Sequence, residues 1–289
     1  MRADSYKIAV IAGDRRQVYL ARILTMRGYR VTVCGLCENL HDERIQTATV
    51  LAEALKGADA VAAPVPFLRA GRITGIYEVP DMNMETLLEK MPKAAKLFAG
   101  NIPAGIKEYA EKKKFMVYDL MLDEFAAAAN AVSAAEGAAA EAIARSPVNL
   151  SRSRCIVLGY GRCGKALVRL LKAFACHVLV SEKDPMKAAE ASTLADGIIN
   201  EKEIADGVAD ADFIFNTVPE IILTAEYLRH VKKRAWILDL ASPPGGVDYQ
   251  AAESMFVNAV LLPGLPGRYA PESSAEIFAD FIESRIKAL

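Results

Sequence analysis

The composition of this 289-residue chain narrows the kind of ligand it can bind. With 35 basic and 36 acidic residues, it has no global field that would attract nucleic acid or an anionic membrane. No apolar run approaches the roughly 20 residues of a membrane span, and the N-terminal segment enters a strand pattern without a secretory h-region. We therefore expect a cytoplasmic protein with a small-molecule ligand, and the length favours two domains.

The cysteines do not form the pattern of a disulfide framework. Five is an odd number, and reduced thiols fit the cytosol. Cys34 and Cys37, with His41 four residues on, offer either three metal ligands or a redox dithiol. Because a structural zinc site would lack a fourth ligand in sequence range, we expect incidental strand-end thiols and no metal.

Residues 1–122 have the pattern of an open α/β sheet, which we expect to serve substrate or partner binding. Residues 6–35 give an apolar strand, a turn at Gly13 and Asp14, a helix and a second apolar strand. The segments 59–64 and 95–100 are further apolar runs that end in turn residues. They predict additional parallel strands.

Residues 123–147 are rich in alanine with scattered acids, and the run stops at Pro147. Alanine is the strongest helix former, so this composition predicts one long helix. We interpret the helix as the connection and hinge between two domains.

Residues 148–289 predict a Rossmann dinucleotide-binding domain. A strand is followed by Gly159, Gly161 and Gly164 in the spacing GxGxxG, then by a helix and a second strand. In this context the glycines make the turn and admit a pyrophosphate to the helix N-terminus. The alternative is a degenerate Rossmann domain that binds no cofactor.

The candidate cofactor-binding residues lie in the glycine segment and at the predicted carboxyl ends of later strands, where such sheets bind ligands. They are Gly159, Tyr160, Gly161, Arg162, Cys163, Gly164, Ser181, Lys183, Thr217, Val218, Pro219, Leu240 and Ala241. Ser181 and Lys183 can hold the 2′-phosphate of NADP, whereas Glu182 stands near the place of a ribose-binding acid and favours NAD. Spacing alone leaves both dinucleotides open.

The segment 262–271, LPGLPGRYAP, contains three prolines and two glycines. Proline fixes φ and glycine permits φ > 0, so this spacing predicts a shaped loop, either the last wall of a ligand cleft or a rigid connection. Apolar residues then recur at helical spacing from Ile277 to Ile286 and predict a docking C-terminal helix.

Six segments together resemble the A-subunit family of dipicolinate synthases, in the expected order along nearly the whole chain. They are IAVIAGDRRQ (8–17), NAVSAAEG (130–137), VLGYGRCG (157–164), NTVPEIIL (216–223), LDLASPPGGVD (238–248) and LPGLPGRYAP (262–271). The resemblance implies oxidation of dihydrodipicolinate, or of its hydrated tetrahydro precursor, to dipicolinate in sporulating bacteria. It also implies NADP, the mother-cell cytoplasm and, as partner, the flavoprotein-like B subunit of the synthase; we further expect a homo-oligomer.

The chain departs from the family pattern at several positions. Lys183 stands where the family carries Arg, which keeps the positive charge, and Glu182 stands where a small neutral residue is expected. Pro243 stands where the family carries Arg, so a substrate carboxylate would have to be held elsewhere.

The implied dicarboxylate substrate requires cations, polar donors and a base. Arg16, Asp14, Ser242 and Arg268 are the candidates for substrate binding, with Arg16 able to hold a carboxylate bidentately. Asn130, Glu136 and Asp239 are the catalytic candidates. Asn130 and Glu136 are six residues apart, so they share a side of the helix only if it breaks near Ser133.

None of the three histidines suggests the His–carboxylate pair of 2-hydroxyacid dehydrogenases. The alternatives are therefore another NAD(P)-dependent dehydrogenase of the same architecture, or a nucleotide-sensing subunit that transfers no hydride.

Overall fold

A computed structural model of the chain describes residues 5–287 and divides it into two units. One unit runs to Ala129 and resumes at Ala270, and the other is Asn130–Tyr269. Each contains one six-stranded parallel sheet, which confirms the predicted class of two doubly wound α/β domains. Among the described residues, no helix combines the length and the apolarity needed to cross a membrane.

In the first unit, helices connect most consecutive strands of the sheet. Its strands are β1 (Lys7–Ile11), β2 (Arg30–Cys34), β3 (Ile45–Thr47), β4 (Ala60–Ala62), β5 (Leu68–Arg69), β6 (Arg72–Ile73), β7 (Lys96–Ala99) and β8 (Met116–Asp119). Its first four helices are α1 (Arg15–Met26), α2 (Leu51–Leu55), α3 (Met84–Lys90) and α4 (Ala104–Lys113). The sheet order is β3-β2-β1-β4-β7-β8, and β5 and β6 form a separate antiparallel hairpin.

Both faces of this sheet are buried, as the continuous apolar strands require. Along β1, Ile8 and Val10 pack into one hydrophobic cluster, while Ala9 and Ile11 pack into the cluster on the opposite face. The predicted strands at 59–64 and 95–100 are β4 and β7. Strands β3 and β8 and the hairpin were not among the predicted strands.

The alanine-rich segment forms one continuous helix, α5 (Glu124–Arg145), as predicted. It begins after Asp123, whose Oδ1 accepts the Ala126 N–H at 3.0 Å. The small side chains of α5 allow close packing against it. A Cβ built at Gly137 would lie only 2.9 Å from the Tyr269 ring. The unit boundary falls within α5, between Ala129 and Asn130, and not at the predicted limits of 123 and 147.

The second unit repeats the doubly wound pattern. Its strands are β9 (Arg154–Leu158), β10 (His177–Ser181), β11 (Gly197–Ile199), β12 (Phe213–Asn216), β13 (Trp236–Asp239) and β14 (Asn258–Leu261). Its helices are α6 (Arg162–Ala173), α7 (Pro185–Ala191), α8 (Ile204–Asp210), α9 (Ala225–Leu228), α10 (Tyr249–Ser254) and α11 (Leu265–Tyr269). The order β11-β10-β9-β12-β13-β14 reverses direction between β9 and β12, which makes the carboxyl ends of these strands the expected ligand site.

The segment 262–271 differs from the predicted loop, because its centre is the short helix α11. Pro266 is compatible with a helix here because it lies in the first turn, where its missing N–H has no intrahelical partner. Leu265, Pro266 and Gly267 are buried in the second unit.

The last helix, α12 (Pro271–Lys287), belongs to the first unit, which corrects the prediction that placed all of residues 148–289 in one domain. Its apolar side joins the cluster around β1, and the Phe281 ring meets the Phe98 ring edge-on at 6.0 Å. The buried Lys96 side chain donates from Nζ to the carbonyl of Arg285 at 2.7 Å. The C-terminal helix therefore docks, as predicted, but on the other sheet.

Candidate dinucleotide-binding site

The glycine segment lies between β9 and α6, as a dinucleotide loop requires. Gly159 has a φ of +89°, which favours glycine, and a Cβ there would lie 2.6 Å from Thr217 Oγ1. A Cβ at Gly164 would lie 2.1 Å from the carbonyl oxygen of Gly159. The first and third glycines are thus required by the protein's own packing.

The middle glycine is different. Among residues 5–287, nothing lies within 4 Å of a Cβ built at Gly161, whose φ is an ordinary −76°. Gly161 is also the N-cap of the 12-residue helix α6, so it brings no side chain to cap the helix. Open space in front of uncapped N–H groups fits a pyrophosphate. The residues present therefore fit a dinucleotide.

The remaining cofactor candidates stand at the same edge of the sheet. Leu158 is in register with Asn216, and Asn216 with Asp239, so β9, β12 and β13 end side by side. Thr217, Val218 and Pro219 follow β12, and Leu240 and Ala241 follow β13. Thr217 Oγ1 donates to the Leu158 carbonyl at 2.9 Å and holds the two strand ends together.

Asp239 is fully buried and already satisfied. Its carboxylate accepts from Asn216 Nδ2 (2.8 Å), Ala241 N (3.1 Å), Gly246 N (2.8 Å) and Tyr249 Oη (2.9 Å). Burial and the Asp239 charge raise the pKa of Tyr249, so its hydroxyl stays a donor. A carboxylate with four donors and no exposure is a structural anchor, and the geometry gives no support to its predicted role as a base.

The segment SPPGG (242–246) wraps around this anchor. The Pro243–Pro244 peptide bond is cis, and Gly245 has a φ of +93°. A Cβ at Gly245 would lie 2.4 Å from Asp239 Oδ2, and one at Gly246 would lie 2.3 Å from Asn216 Nδ2. Both glycines are therefore explained by the buried network, while Ser242 is exposed beside it.

In the first unit, Arg16 is held by its own helix start. Asp14 is the N-cap of α1 and accepts from Arg16 N (3.0 Å), Nε (2.9 Å) and Nη2 (2.8 Å). Burial alone would raise the pKa of Asp14, but the hydrogen bonds and charge of Arg16 outweigh it and hold that pKa below its usual value. Arg16 also donates to the Val65 carbonyl, so much of its guanidinium fork is engaged inside the protein.

Arg268 likewise has an internal partner. Glu141 on α5, almost fully buried, accepts from Arg268 Nη2, from Tyr269 Oη at 2.7 Å and from Arg145 Nη2 at 2.6 Å. Burial alone would raise the pKa of Glu141, but these donors and the two arginine charges hold it below its usual value. Sequence reasoning missed Glu141; its single signal is an acid four residues before Arg145 inside an alanine run.

The two catalytic candidates on α5 do not converge. The helix runs without a break through Ser133, so a separation of six residues turns Asn130 and Glu136 to different sides. Asn130 is half-buried and Glu136 is exposed. The break that the prediction required is not there.

At the end of β10, Glu182 faces the glycine segment. Its Oε2 accepts the Tyr160 N–H at 2.7 Å, and its Oε1 accepts the Asp184 N–H at 2.9 Å. Lys183 is exposed, with Glu220 Oε2 at 3.7 Å from Nζ, and Ser181 gives its carbonyl to the Gly159 N–H at 2.8 Å.

Residues 7–121 match the family model for the N-terminal domain of the dipicolinate synthase A subunit. Over 279 residues the chain is 28% identical to the dipicolinate synthase A subunit of Bacillus subtilis (strain 168), covering 96% of this chain and 94% of that protein. The chain is therefore similar, over nearly its whole length, to the A subunits of dipicolinate synthases. This similarity implies a partner subunit, since the relative is one subunit of a synthase.

Solved structures of dipicolinate synthase A subunits have the same fold. The Bacillus halodurans protein matches with a TM-score of 0.86 and 25% identity, covering 98% of each chain. The Bacillus subtilis protein matches with a TM-score of 0.85 and 26% identity over 100% of this chain and 97% of that chain. Residues 117–244 match the NAD-binding domain of D-isomer-specific 2-hydroxyacid dehydrogenases. The chain is thus a dehydrogenase-like subunit with a site for a nicotinamide dinucleotide.

Proposed function

We propose that this chain is the dehydrogenase subunit of a dipicolinate synthase. It oxidises dihydrodipicolinate, or its hydroxy-tetrahydro precursor, to dipicolinate in the mother-cell cytoplasm of a sporulating bacterium, and its partner is the flavoprotein-like B subunit. The observation that carries the proposal is the open space at Gly161 before the uncapped start of α6, in a chain similar to dipicolinate synthase A subunits.

The reaction fixes what the protein must supply. Aromatisation of the dihydropyridine ring removes one hydride and one proton, and a nicotinamide dinucleotide held at the glycine segment would supply the hydride acceptor. The protein must hold two carboxylates and give the proton a path to water. A precursor that still carries a hydroxyl group would first have to lose water.

The observed contacts change which of the predicted side chains are candidates for a role in the reaction. Asp239 shapes the loop 240–246 instead of taking a proton, because all its donors come from the protein. Glu136 is exposed and remains the carboxylate candidate for the proton, with water as its competitor. Ser242, also exposed, remains a donor candidate.

The two arginines predicted to bind the substrate carboxylates are each paired with a carboxylate of the protein. Arg16 faces Asp14, and Arg268 faces Glu141, so each must share its guanidinium to hold a substrate carboxylate. Arg side chains carry five N–H donors, which allows such sharing. Arg16 and Arg268 therefore remain candidates for the substrate carboxylates, with Asp14 as the residue that orients Arg16.

Two observations favour different dinucleotides. The family resemblance supports NADP, with Lys183 and Ser181 near the 2′-phosphate. The carboxylate of Glu182 at the end of β10 supports NAD. The choice depends on which side chain meets the 2′ position of the adenosine ribose.

Reduction of the dinucleotide tests the activity. The full chain, alone and then with the flavoprotein-like partner, is mixed with freshly generated dihydrodipicolinate and either NAD or NADP, and the absorbance of reduced nicotinamide is followed. Reduction that depends on the substrate supports the proposal, and comparing the two mixtures shows whether the partner is required. The variant Gly161→Val is the control for reduction outside this site.

A nucleotide-sensing subunit is the second candidate, because Asp239 is satisfied internally and Asn130 and Glu136 point apart. Tight dinucleotide binding without reduction in either mixture would favour this function.

A further inference from the structure

The carboxylate of Glu182 is fixed in place by the backbone on both sides. Glu182 directly follows β10, and its Oε2 accepts from Tyr160 N, which lies inside the glycine segment 22 residues earlier. Its Oε1 accepts from Asp184 N at 2.9 Å. The negative charge therefore cannot swing away from the loop without losing two charge-assisted hydrogen bonds.

An acid at this position discriminates between the two dinucleotides by elementary electrostatics. In Rossmann domains the residue at the end of the second strand lies at the adenosine ribose. A carboxylate accepts a hydrogen bond from a 2′-hydroxyl, whereas a 2′-phosphate brings a second anion against it. Two anions brought together repel each other, and the partial burial of Glu182 weakens the screening of this repulsion by solvent.

The neighbouring lysine does not reverse this preference. Lys183 Nζ lies 3.7 Å from Glu220 Oε2, and the two side chains are 87% and 72% exposed. Such an exposed pair contributes little stability. It nevertheless places the Glu220 carboxylate beside the lysine that was expected to hold a 2′-phosphate.

We propose that Glu182 makes this site selective for NAD(H) over NADP(H), against the cofactor that the family resemblance implies. The inference rests on the proposed function only in that a nicotinamide dinucleotide binds at the glycine segment. It concerns the residue that sets which dinucleotide binds, and it is independent of the substrate.

Binding without substrate tests it. Isothermal titration of the full chain with NADH and with NADPH at fixed ionic strength should give a dissociation constant at least about tenfold lower for NADH. Glu182→Gln is the matched variant, because its amide oxygen can still accept from Tyr160 N while the charge is removed. We expect this variant to bind NADH more weakly and NADPH more tightly. The preference for NADH, expressed as the ratio of the NADPH to the NADH dissociation constant, should fall about tenfold or more. Thermal melting of both proteins verifies that the loop and the fold are retained.

The control variant is Glu220→Gln, which removes the partner of Lys183 and leaves the loop intact. We expect it to change the NADH-to-NADPH ratio much less than Glu182→Gln does. A ratio changed equally by both variants would overturn the assignment to Glu182. Wild-type protein that binds NADPH as tightly as NADH also overturns it, while the proposed function survives. Failure to bind either dinucleotide removes the inference and the proposed function together.

Discussion

Asn216 and Asp239, both fully buried at the ends of the neighbouring strands β12 and β13, are joined by a hydrogen bond of 2.8 Å from Nδ2 to Oδ1. The same carboxylate gathers Ala241 N, Gly246 N and Tyr249 Oη. One buried charge thus organises the loop that follows β13, next to the cofactor candidates Leu240 and Ala241.

Removal of this anchor should cost stability. Asp239→Ala leaves four donors without their acceptor, and we expect the free energy of unfolding to fall by about 3 kcal/mol or more. Denaturant unfolding followed by circular dichroism measures the change. Tyr249→Phe, which removes one donor and leaves the carboxylate in place, should cost about 1 kcal/mol. A loss below about 0.5 kcal/mol for Asp239→Ala would contradict the role of anchor.

The second and third glycines of the segment should respond differently to substitution. Gly161→Val is expected to abolish dinucleotide binding with little change in melting temperature, because its Cβ meets open space. Gly164→Ala is expected to lower the melting temperature, since its Cβ would overlap the Gly159 carbonyl at 2.1 Å. Titration with dinucleotide and thermal melting of both variants make the comparison. Unchanged affinity in Gly161→Val would show that the phosphates lie elsewhere.

The Asp14 and Arg16 pair predicts a dependence of stability on pH. Arg16 depresses the folded-state pKa of Asp14, so the stabilisation is complete above the unfolded-state value of about 3.9 and is lost as pH falls through the lower folded-state value. Asp14→Asn retains an N-cap side chain but not the charge. The stability difference between wild type and this variant should be constant from neutral pH to about pH 5 and shrink below about pH 4. A difference that grows with acidity would refute the assignment.

Arg268 offers a test between structural and substrate-binding roles. It donates to the buried Glu141 beside Tyr269, so Arg268→Ala should destabilise the second unit and make it more sensitive to protease near α11. Glu141→Gln should reproduce that effect. If Arg268→Ala instead raises KM for the substrate with unchanged unfolding, its function is substrate binding and the Glu141 contact is secondary.

The elements predicted from sequence are those encoded locally. The apolar runs of β1 and β9, the glycine spacing around α6 and the alanine content of α5 each specify their element without reference to distant residues. The dinucleotide loop could therefore be located from residues 154–181 alone.

The structural features that could not be predicted from the sequence depend on contacts between distant residues. The apolar stripe of α12 shows that one side is buried, but only the structure shows that it packs beside Phe98 and that Lys96 caps its end. The carboxylates of Asp14 and Glu141 bind arginines that sequence reasoning assigned to substrate, because an internal ion pair leaves no periodic signal. Glu182 could be recognised as a candidate, while its bond to Tyr160 N could not.

A dehydrogenase function is tested by comparing two products of one reaction. Purified chain, with the proposed flavoprotein-like partner if required, is given freshly generated dihydrodipicolinate and dinucleotide, and both dipicolinate and reduced nicotinamide are quantified. If the chain is a dehydrogenase, the two products form in equal amounts and neither forms with Gly161→Val. Dipicolinate that accumulates at the same rate without dinucleotide, or dinucleotide that binds tightly and is never reduced, would contradict a dehydrogenase function.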